Sequence, residues 1–154
     1  MKLIKLDMKL FSKLFLVSFL LLTTFNSSAQ CKRYTKKYCL PSLAPYIHNG
    51  QLTSTYMMAG DSADVLMTFN AGKEYRLLIC SQDMIGKVQF KVLDKKKKVL
   101  YTSDEDEVNP YWDFKVANTQ QFFIQIFIPE KEKTTKMTEM IAEGCVALLV
   151  GFKE

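Results

Sequence analysis

The chain reads as an all-β protein, a sandwich of about eight antiparallel strands behind a short N-terminal arm. Three observations predict this. After Gly50, apolar residues recur at every second position in short runs. Turn-forming clusters such as Gly60-Asp61-Ser62 and Asn70-Ala71-Gly72-Lys73 separate those runs at nearly regular spacing. No long stretch keeps the 3.6-residue period of a helix. Together these define a sandwich or barrel. Several runs carry one wet face, which favours the sandwich.

Residues 1–29 read as a signal peptide. Lys2, Lys5, Lys9 and Lys13 form a basic lead, Leu14 to Leu22 is almost wholly apolar, and small or polar residues follow up to Cys31. The apolar run falls short of the roughly 20 residues of a membrane span, so the chain is not expected to be membrane-spanning. Ser27 and Ala29 place the cut after Ala29. Bulky Gln30 before Cys31 argues against a lipoprotein. The expected location is the periplasm or the exterior of a Gram-negative bacterium. Cleavage removes four lysines and Asp7 from a chain of net charge +5, leaving about +2. That is no basis for a nucleic-acid partner.

Residues 30–50 read as an arm. Lys32, Arg33, Lys36 and Lys37 alternate with Tyr34 and Tyr38, so a turn or two of helix would be basic on one side and aromatic on the other. Pro41 and Pro45 stop a long helix, and Asn49-Gly50 signals a turn. The arm is expected to cover an open end of the core with its tyrosines, Leu40 and Leu43. Its charges read as a solvated face, or as a surface for an acidic partner or lipid head groups.

Residues 51–154 read as the sandwich. Leu52 to Met58 alternates. So do Val65, Met67 and Phe69. Tyr75 to Cys80 is apolar except at Arg76, as in a central strand buried on both faces. Val88, Phe90 and Val92 alternate with Lys87, Gln89 and Lys91. Asp94 to Lys98 is a hairpin tip, from which Val99 to Tyr101 returns. Trp112, Phe114 and Val116 share one parity. Phe122 to Ile128 is the most apolar run, and Val146 to Phe152 closes the chain. Glu130 to Glu143 breaks the rhythm and reads as a charged loop or short helix.

Four cysteines, Cys31, Cys39, Cys80 and Cys145, read in an exported chain as two disulfides. A metal site is not expected, because no Cys-x-x-Cys pair occurs and His48 is the only histidine. Three connectivities are possible. Cys80 ends one apolar run and Cys145 begins another. If those runs are antiparallel neighbours, the two cysteines meet, and Cys31 is left with Cys39. A regular helix would hold that second pair about 12 Å apart, so this pairing requires a non-helical segment.

Phe69 to Leu78, with its Gly72 turn followed by Tyr75, resembles the strand–turn–strand cadence of bacterial prepeptidase C-terminal domains. The hairpin from Val92 to Leu100 and the closing run Gly144 to Phe152 are similar to theirs. The resemblance covers roughly residues 60–152. It implies a jelly-roll sandwich, secreted and without catalysis of its own. The four cysteines depart from that pattern.

Catalytic motifs are lacking. No Gly-x-Ser-x-Gly, phosphate loop or His-Glu-x-x-His occurs, and no enzyme is expected. The one place where aromatic and acidic residues coincide is the rim formed by Tyr101, Tyr111 and the loop Asp104, Glu105, Asp106 and Glu107. Aromatic faces beside carboxylates suit sugars, and the carboxylates suit hydroxyls or a bridging calcium. A small glycan hydrolase would need two of these carboxylates as its acid and base. Trp112 shares parity with core positions and is expected inside, with Tyr111 outside. The expected role is a binding or structural module at the cell envelope. Its partner would be a glycan or another envelope protein, and no cofactor is expected.

Overall fold

Side-chain parity builds two layers of strands and then a third layer of arm. The structure, a computed structural model, describes residues 27–103, 110–130 and 142–153. It is an antiparallel β-sandwich of jelly-roll type. The strands are β1 (Ile47–His48), β2 (Thr53–Met58), β3 (Ser62–Phe69), β4 (Glu74–Ser81), β5 (Gln89–Leu93), β6 (Val99–Thr102), β7 (Tyr111–Lys115), β8 (Gln120–Phe127) and β9 (Glu143–Lys153). The eight strands expected from alternation are all present, and the two-residue β1 is the addition.

Sheet A runs β1-β9-β4-β7, with β2 on the same side of β9 as β1. Sheet B runs β3-β8-β5-β6. Among these strands only β5 and β6 form a hairpin of consecutive, paired strands. Most connections cross between sheets, so strand neighbours are distant in sequence. Asp94 closes the β5–β6 hairpin, its Oδ1 accepting from the amides of Lys96 and Lys98 at 2.8 and 2.9 Å. The inner faces meet in a core of Tyr75, Leu77 and Ile79 from β4, Phe90 and Val92 from β5, Ile124 and Ile126 from β8, and Leu148 and Val150 from β9. Burying each such side chain contributes about 1.5–3 kcal/mol.

β4 is buried on its outer face too, as its run of apolar residues after Arg76 predicts. What covers it is the arm. Helix α1 (Ser27–Tyr34) runs on into a π-helical turn, Thr35–Cys39, and a 3-10 turn, Leu40–Leu43. Its buried side is Cys31, Thr35, Cys39 and Leu43, one residue in four. A step of four overshoots an ideal α-helical turn by roughly 40°. The wider π turn offsets that drift. The Thr35 hydroxyl is satisfied by donating to the Cys31 carbonyl at 2.8 Å.

Two expectations are corrected here. The arm covers the outer face of sheet A, not an open end: Leu43, Cys39 and Tyr46 pack on Leu78, Cys80, Ala147 and Leu149. Of its tyrosines only Tyr46 is buried, while Tyr34 is half-buried and Tyr38 is 55% exposed.

The disulfides are Cys31–Cys145 and Cys39–Cys80, so the expected Cys80–Cys145 and Cys31–Cys39 pairs do not form. The adjacency behind the expectation holds, because β4 and β9 are antiparallel neighbours. The register defeats it. Cys80 lies opposite Ala147, and Cys145 is two residues away. Diagonal partners are roughly 7–8 Å apart, beyond the usual reach of a disulfide. Both cysteines point outward and meet the helix, which spaces Cys31 and Cys39 along its buried side.

Gly151 makes this docking possible. A Cβ there would lie 2.6 Å from the Tyr46 Cβ and 2.9 Å from the Leu43 Cγ. Only a bare backbone lets the arm rest on β9 at that point.

Candidate functional site

The expected rim divides between two faces. Trp112 is on the inner side of β7, stacked on Phe114 at 4.2 Å between ring centroids and packed against the core. Tyr111 points the other way and is 47% exposed. Tyr101 pairs with Val92 and turns inward, stacked on Trp112 at 5.3 Å. Its hydroxyl donates to the Tyr111 carbonyl at 3.1 Å. The rings of Tyr101 and Tyr111 therefore do not form one platform. Asp104 to Glu107 lie outside the described residues, between Ser103 at the end of β6 and Pro110 at the start of β7. The Glu130–Glu143 stretch lies largely outside them as well.

The Tyr111 ring is held in place. Arg76, opposite Asp113 in the β4–β7 register, donates from Nε and Nη2 to its two carboxylate oxygens, each at 2.7 Å. Nη1 donates to the Ala44 carbonyl at 3.1 Å. The guanidinium carbon lies 4.4 Å from the Tyr111 ring centroid and 4.6 Å from that of Tyr46. Hydrogen bonding from Arg76 holds the Asp113 carboxyl below its ordinary range, against the effect of burial. The Tyr46 hydroxyl donates to Glu74 at 2.6 Å. Burial first, and then that bond, raises its pKa above the usual tyrosine value. This cluster ties arm, β4 and β7 together.

His48 ends β1 and braces the turn that follows it. Its Nδ1 accepts from the Gly50 amide and its Nε2 faces the Gln51 carbonyl, both at 3.2 Å.

One arrangement was missed by reading Phe122 to Ile128 as a single apolar run. Its even positions, Phe122, Ile124 and Ile126, are buried in the core, while Gln121, Phe123, Gln125 and Phe127 are only partly buried on the outer face of sheet B. The register lays these out in rows. Leu66, Phe123 and Leu93 form one, Asp64, Gln125, Lys91 and Thr102 the next, and Ser62, Phe127 and Gln89 a third. Leu66 is 51% exposed. The Lys97 ammonium lies 3.4 Å from the Phe123 ring centroid, and the Gln121 amide donates to the Thr68 hydroxyl at 3.2 Å. The signal was present in the sequence as the strict Gln-x-Phe-x alternation.

Sheet A's outer face is thus covered over β4 and β9 by a disulfide-anchored arm, and no described element covers the face of sheet B. A cavity of about 160 Å³ lies beside Asn70, Lys73 and Phe152. That is below the usual range of small-molecule pockets.

No family model matches the sequence, and no curated protein matches it. Several solved structures are similar in shape. Aeromonas hydrophila PliG, a periplasmic lysozyme inhibitor of g-type lysozyme, is 11% identical with a TM-score of 0.46, covering 71% of this chain and 89% of its own. The pre-peptidase C-terminal domain of a Bacillus anthracis collagenase is 9% identical with a TM-score of 0.47, covering 65% and 87%. A de novo designed double-stranded β-helix is 13% identical with a TM-score of 0.31, covering 67% and 99%. The resemblance read over roughly residues 60–152 is to domains of the second kind. Likenesses of this degree assign no role to the chain.

Proposed function

We propose that the chain is an exported, non-catalytic binding module of the cell envelope, and that it works through the outer face of sheet B. The observation carrying this reading is the Gln121-Phe123-Gln125-Phe127 ladder on a sheet face that no described element covers. Rings on such a ladder offer flat apolar contact, and the amides between them donate and accept at once. That chemistry fits a carbohydrate chain, whose ring faces are apolar and whose edges carry hydroxyls. A sugar over Phe123 displaces the Lys97 ammonium, whereas Phe127 is flanked by Ser62 and Gln89. Export is supported by the basic and apolar order of residues 1–29 and by two disulfides, bonds that persist in oxidising compartments.

A second reading keeps the sugar at the β6–β7 rim, on Tyr111 and the carboxylates Asp104 to Glu107, with calcium as a possible bridge. What favours it is the exposed Tyr111 ring, fixed from one side by Arg76.

A glycan array separates the two. The chain from Gln30 onward should bind a defined set of glycans. Phe127→Ala should abolish that binding and Tyr111→Ala should leave it. The reverse outcome places the ligand at the rim. No binding by the folded chain removes the carbohydrate reading. Intact mass of the protein from its host should match a chain starting near Gln30 without lipid.

A further inference from the structure

We infer that the outward face of the arm is a docking surface for an anionic phospholipid bilayer. No aspartate or glutamate occurs between Asp7 and Asp61, so the arm has no acidic residue of its own to neutralise it. Lys32, Arg33, Lys36 and Lys37 stand at positions i, i+1, i+4 and i+5 of one continuous helical segment. All four are exposed, opposite the buried Cys31, Thr35 and Cys39. Among the described residues none of the four is ion-paired. Four cations thus lie within about 8 Å of helix axis, a density suited to an anionic partner.

The occupant follows from the surroundings. Tyr38, 55% exposed, lies at the C-terminal end of the ridge with the Lys37 ammonium 4.9 Å from its ring centroid. A ring with an apolar body and a polar tip, beside lysines, suits the level of lipid head groups. The four cations line one open depression on a single helix, so one anionic surface laid over that helix meets all four at once. The apolar run ending at Leu22 lies ten residues before Lys32. Those ten residues span at most about 35 Å. If that run enters the bilayer during export, the ridge is delivered beside the head groups.

Rigidity adds to the case. Free amphipathic peptides must order themselves on binding, but this helix is already fixed by Cys31–Cys145 and Cys39–Cys80. The other lysine cluster, Lys95 to Lys98, is on the β5–β6 tip of sheet B, in the layer opposite the arm. It serves as the internal control.

The test is sedimentation of the disulfide-intact chain from Gln30 with vesicles of phosphatidylcholine, with and without phosphatidylglycerol. Binding should require phosphatidylglycerol and be lost at high salt. Each basic residue near such a surface is worth roughly fivefold in partitioning. Lys36→Glu with Lys37→Glu should therefore weaken binding by at least about 25-fold, and Lys95→Glu with Lys96→Glu should leave it unchanged. Absence of binding to phosphatidylglycerol vesicles at low salt would overturn the inference. So would binding that survives high salt, or equal losses in both variants. Heparin binding without vesicle binding would overturn it too, and would assign the ridge to a soluble polyanion. The wild-type salt and lipid dependence stands whether or not a variant folds, and none of these results depends on sugar binding at sheet B.

Discussion

Single residues carry the geometry that holds the arm and orients the rings. Gly151→Ala places a methyl where Leu43 and Tyr46 already sit. It should cost about 1–3 kcal/mol, the range for overpacking a fitted contact, measured by denaturant unfolding. A neutral result would mean that the arm does not rest on β9. Trp112→Ala should be the costly change on β7, at about 2–4 kcal/mol for a partly buried aromatic in a stacked core. Tyr111→Ala should stay within about 1 kcal/mol. The Arg76–Asp113 pair gives a pH dependence. The folded Asp113 pKa is lowered, chiefly by hydrogen bonding from Arg76. Its contribution is therefore present above the unfolded aspartate value near 3.9 and is lost as pH falls through the lower folded value. The melting temperature of Asp113→Asn should trail the wild type at neutral pH and converge with it as pH falls through the lowered folded value. A gap that persists undiminished in acid would show that the carboxylate charge is not what stabilises the pair.

Among the elements, the strands were legible because burial on one face imposes a period of two. Val88-Phe90-Val92 against Lys87-Gln89-Lys91 is enough to place β5 and its wet side. The pairing of cysteines was not legible, since it depends on a register offset of two residues between β4 and β9 that no local pattern records. The arm was half legible. Pro41 and Pro45 bounded the helix, but its buried line, Cys31-Thr35-Cys39-Leu43, has a period of four that fits neither an α-helix nor a strand. Phe123 and Phe127 were hidden by apolar neighbours, and only Gln121 and Gln125 disclose that they face outward. The cysteines now bridge loops of 114 and 41 residues. Chain entropy alone assigns each bond on the order of 4–5 kcal/mol. Non-reducing peptide mapping should recover Cys31 with Cys145 and Cys39 with Cys80. Replacing either pair by serine should lower the melting temperature markedly, by a similar amount for each. A recovered Cys80–Cys145 peptide would place the arm elsewhere.

At the scale of the molecule, the two sheets have unlike outer faces. One is covered over β4 and β9 by an arm that two disulfides anchor and that turns a basic ridge outward, with Tyr111 of β7 left exposed. The other displays rows of rings and amides that nothing described covers. A soluble sandwich normally wets such a face with charge. Here Leu66, Phe123 and Phe127 remain on it, as at a surface that meets a partner. The most direct test is the amide NMR spectrum of the oxidised chain from Gln30, with and without a soluble digest of the host's envelope polysaccharide. The side-chain amides of Gln121 and Gln125 should shift together with the backbone of β8, leaving β7 unmoved. A spectrum unchanged by the digest, or shifts confined to Tyr111–Lys115, would contradict the account.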